Sequence, residues 1–196
     1  MEQNTLLDQF LPEFEFNEVH SLTVNASSDQ VFIAIRELTS AELSPLIFGM
    51  LNLRNLPARL LGKETSEISE VSPFLDQLYQ GGFIPLGELA GNEIVFGLIG
   101  QFWKLTGGKE PAIAGPEAFL AFDDPAYAKV AANLKVSPEG KNGLACCSTE
   151  TRIHVFDPQT RRKFAFYWRL ISLGSGWIRI LWLRAIKRKA EAIPDK

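Results

Sequence analysis

From Asp157 to about Ala190 the chain offers one long amphipathic helix, and no other segment constrains the fold as much. Asp157 supplies an N-cap oxygen, and Pro158 fits a first turn that needs no amide donor. Between Pro158 and Ala190 stand nine basic residues (Arg161, Arg162, Lys163, Arg169, Arg179, Arg184, Lys187, Arg188 and Lys189) and no acidic one. The whole chain has 20 basic and 23 acidic side chains, a net charge of only −3, so the body outside this helix is strongly acidic. Ile178, Leu181, Trp182, Ala185 and Ile186 make one apolar stripe, as a helix covering a sheet requires. Leu173-Gly174-Ser175-Gly176 predicts a kink or brief break that leaves two helical pieces.

The sheet for this helix to cover is read from alternation. Phe16, Glu18, His20, Leu22 and Val24 alternate with polar neighbours, as in a half-buried strand. A capped helix follows over Asp29–Leu38, and a second starts near Thr39 with Leu43, Leu46, Ile47, Met50 and Leu51 on its stripe. Pro57–Leu61 reads as a short turn, Lys63–Ser72 as a polar loop or edge strand, and Pro73–Tyr79 as a brief helix. Phe83–Leu89 and Ile94–Trp103 read as a hairpin about Ala90-Gly91-Asn92. Gly97 and Gly100 predict bulges or bends in its second strand. After a loop over Thr106–Gly115 and a helical turn at Pro116–Leu120, Ala126–Val136 and Leu144–Phe156 complete five strands, joined by a turn at Pro138–Gly143. On the last strand Cys147, Thr149, Thr151, Ile153 and Val155 are expected to face the core; Cys146, Ser148, Glu150, Arg152 and His154 face away.

At 196 residues, 46% of them hydrophobic, the chain can bury one continuous core, and a single domain over residues 1–196 is expected. Cys146 and Cys147 are adjacent, which disfavours a disulfide between them. With only two histidines and no CxxC pair, no metal site and no cofactor are expected. The opening MEQNTLLDQF has no basic region followed by an apolar core, so a cytoplasmic, bacterial or cytosolic setting is expected. Arg179 and Arg184 interrupt the Trp177–Ile186 run, and no membrane span is predicted. The acidic body argues against nucleic acid, and Gly107-Gly108-Lys109 lacks the rest of a phosphate-binding loop. The sequence leaves the oligomeric state open.

The order of strand, paired helices, antiparallel strands and long terminal helix resembles the START-like helix-grip proteins, the SRPBCC group. The resemblance rests on Val24-Asn-Ala-Ser-Ser-Asp-Gln-Val31-Phe32 near the start. It rests also on Ser148-Thr-Glu150-Thr-Arg152, Asp157-Pro158, Phe166-Tyr-Trp168 and Leu183-Arg-Ala-Ile-Lys-Arg-Lys-Ala190 near the end. It implies an α+β fold with a curved antiparallel sheet wrapped around the C-terminal helix, and an apolar cavity between them. Some members of the group carry lipids or other hydrophobic molecules, and some are aromatase/cyclases. That group usually has six or seven strands, so a further strand is sought in Lys63–Val71 or Lys104–Ile113.

Such a cavity would be lined by Phe96, Leu98 and Phe102, or by their neighbours Val95, Ile99 and Trp103, with Tyr127, Trp168, Leu181 and Trp182; the competing reading is a closed core. Glu150 and Arg152 share a strand face and are candidate acid/base and carboxylate-binding groups, set against a plain salt bridge on the outer sheet face. His20 and His154 are candidate bases with no partner visible in sequence, and Tyr127 and Tyr167 candidate hydroxyl donors. Three functions follow in order: binding a hydrophobic, lipid-like small molecule; a cyclase or dehydratase; and docking on a membrane or partner through the basic helix and its Ile178–Ile186 stripe.

Overall fold

The computed structural model describes residues 5–45, 71–104, 111–139 and 144–194. Its elements in chain order are α1 (Leu6–Phe10), β1 (Phe16–Val24), α2 (Ser28–Glu37), a 3-10 turn at Ser40–Glu42, α3 (Phe74–Gln80), β2 (Ile84–Leu89), β3 (Glu93–Gly100), α4 (Pro116–Ala121), β4 (Ala128–Glu139), β5 (Leu144–Val155) and α5 (Pro158–Glu191). The architecture is α+β: a five-stranded antiparallel open sheet, ordered β1-β5-β4-β3-β2, with a long C-terminal helix across it. Most of the second helix expected from Thr39, the Pro57–Leu61 turn, and most of the two segments offered for a further strand lie outside the described residues.

Local signals set the element ends. Ser27 Oγ accepts from Gln30 N while Gln30 Oε1 accepts from Ser27 N, a reciprocal cap that starts α2. Asp157 Oδ2 accepts from Thr160 N at 2.6 Å, and the Thr160 hydrogen bonds hold that carboxyl below its ordinary range. Gly91 takes φ +74° at the tip of the β2–β3 turn, a conformation that favours glycine. The hairpin's register shift falls in β2, between Pro85 and Gly87, and the β3–β4 ladder runs unbroken from Glu93 to Gly100. Gly97 is therefore no bulge: its bare Cα makes room for the Phe119 ring, which a Cβ there would approach to 2.7 Å. The strand also stops at Gly100, leaving Trp103 beyond its end.

Both faces of the central strands are covered. On the inner face Ile94, Phe96, Leu134, Val136, Ala145 and Cys147 pack with Val31, Ile35 and Leu38 of α2 and with Trp182, Leu183 and Ile186 of α5. Burial pushes the Cys147 thiol up to about 12. On the outer face Val95, Ile99 and Ala131 pack under Leu7, Leu11 and Phe119. The alternation of β1, half-buried against exposed, belongs to an edge strand, whereas β3 is buried on both sides.

The expected break in the terminal helix does not occur, and α5 is continuous over 34 residues. Gly176 is buried where the helix crosses β1, and a Cβ there would meet the Glu18 carboxylate and the His20 ring. The glycine thus serves close approach between backbone and strand. Alanine at an interior helix glycine ordinarily gains about 1 kcal/mol. Gly176→Ala is instead expected to cost about 1 kcal/mol, because Glu18 must leave its hydrogen-bonded place. Urea unfolding of the variant checks this, and a gain in stability would refute it.

Candidate ligand cavity

Between the inner sheet face and α5 lies a cavity of about 230 Å³. The apolar wall comes from alternate residues of three strands, Phe96 and Leu98 of β3, Val130 and Ala132 of β4 and Ile153 of β5, because side chains two apart share a face. Phe102 follows β3, and α3 adds Phe74 and Leu78. From α5 come Phe164, Trp168, Ile171, Ser175, Ile178, Arg179 and Trp182, spaced by three and four residues along one helical face. Phe164 anchors the aromatic end, its ring 5.1 Å from Phe16 and stacked on Trp168 at 6.1 Å.

One wall is polar. Arg179 Nε donates to Thr151 Oγ1 at 3.0 Å, and its Nη1 donates to Ser175 Oγ at 2.7 Å and to Glu18 Oε2 at 3.1 Å. Glu18 Oε1 accepts in turn from His20 Nε2 at 2.8 Å. Desolvation draws the Arg179 pKa below its usual value, against the opposing pull of Glu18. The guanidinium stays charged all the same, since arginine has protonation to spare. Nη2 takes part in none of these bonds. A guanidinium held by two hydroxyls and one carboxylate, at the edge of an apolar space, is equipped to receive a ligand's carboxylate or other acceptor.

Of the residues expected at a cavity, Phe96, Leu98, Phe102, Trp168 and Trp182 line this one. Of the two β3 faces left open by the sequence, it is the Phe96 and Leu98 face that turns inward. Trp103, Tyr127 and Leu181 lie outside the lining. Trp103 packs edge-on to Phe164 at 6.0 Å, Tyr127 edge-on to Phe122 at 5.5 Å under the outer layer, and Leu181 against the inner core. Tyr167, named for its hydroxyl, is part of the lining. The sequence reading did not single out Arg179, Thr151, Ser175 or Glu18 for the site. Their signal was present, in a charge inside an apolar helical run and in Glu18 and His20 alternating with Phe16 and Leu22 on one strand face.

Glu150 and Arg152 lie on the opposite side of the sheet. They form the expected ion pair, Arg152 Nε donating to Glu150 Oε1 at 2.8 Å, but the pair is not on an open surface. The N-terminal segment covers it: Arg152 Nη1 donates to Asp8 Oδ1 at 2.6 Å and to Leu11 O at 3.2 Å, and Phe14 lies on the guanidinium at 4.8 Å. Although burial works the other way, the hydrogen bonds from Arg152 and Thr5 hold the Asp8 carboxyl below its ordinary value. Glu93, fully buried beside this cluster, accepts from Leu6 N, Leu7 N and Asn133 Nδ2 and so pins the start of α1. These groups fasten the N-terminal segment down. His154 also faces outward, with Nδ1 3.4 Å from Glu15 Oε1.

Among the described residues no cluster of His, Cys, Asp and Glu is placed to hold a metal ion. No helix among them is long and apolar enough to cross a membrane. The Ile178–Ile186 stripe offered above for membrane docking is turned inward, with Trp182, Ala185 and Ile186 buried in the inner core.

No family model matches the chain, and no curated protein matches it. Among solved structures it is similar to the crystal structure of TTHA0849 from Thermus thermophilus. That similarity spans 90% of this chain and 98% of that one, at 7% sequence identity and a TM-score of 0.30.

Proposed function

We propose that the chain is a single helix-grip domain of the START-like kind that binds a small, slender, mainly apolar molecule carrying one acidic or acceptor group. The apolar body lies among Phe96, Leu98, Trp168 and Trp182, and the acceptor meets Arg179. One observation carries this reading: an otherwise apolar cavity has a single polar wall, built on a largely desolvated guanidinium. The element order, with a capped helix after β1 and a long terminal helix packed across an antiparallel sheet, agrees with the helix-grip plan. At about 230 Å³ the space is below the roughly 300–1,000 Å³ of sites for drug-sized ligands, which favours a short chain or one ring system.

Octanoate titrated into the purified protein is expected to quench or shift tryptophan emission saturably, because Trp168 and Trp182 line the cavity. Octylamine, of equal length and opposite charge, is expected to bind at least about tenfold more weakly, a difference of about 1.4 kcal/mol. Native mass spectrometry of the freshly purified chain should show the mass of a bound small molecule. No response to either amphiphile, together with the bare chain mass, defeats the proposal.

A second reading is an enzyme of the cyclase or dehydratase kind, favoured by the Glu18–His20 hydrogen bond, in which the carboxylate orients an imidazole able to act as a base. Neither group lines the cavity, Glu18 being bonded to Arg179 and His20 to Glu18, which is why this reading stands second. Glu150 and Arg152 have no part in it.

A further inference from the structure

The side of α5 turned away from the cavity carries a stripe that packing on the sheet does not explain. Phe166, Leu170, Leu173 and Trp177 are 70%, 68%, 81% and 63% exposed, and they follow one another at intervals of four, three and four residues, so they share one helical face. Four large apolar side chains in a contiguous exposed row are more than a monomer's surface usually carries without a use. Exposed Arg162, Lys163, Arg169 and Arg184 border the row, and the helix has no acidic residue between Pro158 and Ala190.

The pattern of charge decides what covers this face. Lys163 precedes the row by one turn, and Arg184 lies on the same helical face two turns beyond it. If two copies paired through the stripe, one basic helix would lie against another in either orientation, with no acidic residue between Pro158 and Ala190 to pair with Arg162, Lys163, Arg169 or Arg184. A nucleic acid would satisfy the cations and leave the aliphatic groups in water. An anionic bilayer surface satisfies both: Leu170 and Leu173 enter the acyl boundary, Phe166 and Trp177 sit at the interface, and the arginines and lysine meet lipid phosphates and carboxylates.

We infer that the N-terminal two thirds of α5 is a peripheral docking surface for anionic membranes, separate from the inward-facing Ile178–Ile186 stripe. The same helix then shows a cavity wall to the sheet and a lipid-binding row to the outside. The inference does not depend on the cavity being occupied.

Flotation of the full chain with vesicles tests it. The protein is expected to float with phosphatidylcholine vesicles containing about 30% phosphatidylserine, to remain behind with phosphatidylcholine alone, and to lose binding as salt is raised towards 0.5 M, at roughly the ionic strengths where screening is strong. Leu170→Glu/Leu173→Glu, both at exposed positions, is expected to keep the wild-type circular dichroism and thermal midpoint while its partition coefficient falls at least about tenfold. Arg162→Glu/Arg169→Glu should abolish the preference for anionic vesicles. Equal flotation of the wild type and the leucine variant overturns the inference. So does failure of the wild type to float, and if light scattering then shows a dimer that the leucine variant abolishes, the row is a self-association face.

Discussion

Phe119→Ala is expected to lower the unfolding free energy by about 3–5 kcal/mol, as much as truncating an aromatic residue of a principal core. The ring belongs to α4, a helix of six residues that an isolated peptide would not hold, yet it is fully buried. Its edge lies over Gly97 of β3, and Lys129 Nζ stands 4.8 Å from its centroid. That lysine is itself buried, donating to Leu120 O and Phe122 O, with its pKa drawn down by desolvation. Removing the ring opens a void between two elements whose backbones are fixed by the β3–β4 ladder and by these hydrogen bonds, so the site has little room to collapse. Urea denaturation with an unchanged m-value is the measurement. A loss below about 1.5 kcal/mol would mean that the outer layer is a loose covering and that the inner core alone holds the sheet.

The outer layer is also where the sequence was least legible. Its residues are Leu6, Leu7 and Phe10 at one end of the chain and Phe119 and Phe122 near the middle, on elements too short to show a helical period. Among the strand positions they cover are Glu93, Asn133, Glu150 and Arg152, and the last two read as a solvated face because they are polar. Glu93 and Arg152 bind backbone and side chains of the N-terminal segment, and Asn133 and Glu150 bind those two residues in turn, a role that alternation cannot distinguish from exposure. By contrast β1, β4, β5 and the start of α5 were readable from alternation, capping oxygens and Pro158, signals whose causes are local. Gly176 was misread for the opposite reason. Its local preference is to loosen a helix, but its burial against Glu18 and His20 is set by a strand more than 150 positions earlier in the chain. Half of the candidate site followed the same rule: the apolar wall could be read from periodicity, while the polar wall needed β1, β5 and α5 brought together.

The second large effect is expected at that polar wall. Arg179→Met should cost about 3 kcal/mol, because it leaves the Glu18 carboxylate, itself only partly exposed, without its cation and Thr151 without its donor. Glu18→Gln should cost less, about 1–2 kcal/mol, since the guanidinium keeps both hydroxyls. The joint variant should be more stable than the sum of the two losses implies, with a coupling of about 1–3 kcal/mol in a double-mutant cycle. The reason is that an isosteric neutral pair removes the desolvation penalty together with the attraction. Ligand binding separates this structural role from the functional one. If Arg179 receives the acceptor, the joint variant, restored in stability, still loses the preference for octanoate over octylamine. If the ion pair is only a strut, stability and selectivity recover together, and Arg179 must be struck from the binding site even though the cavity beside it remains.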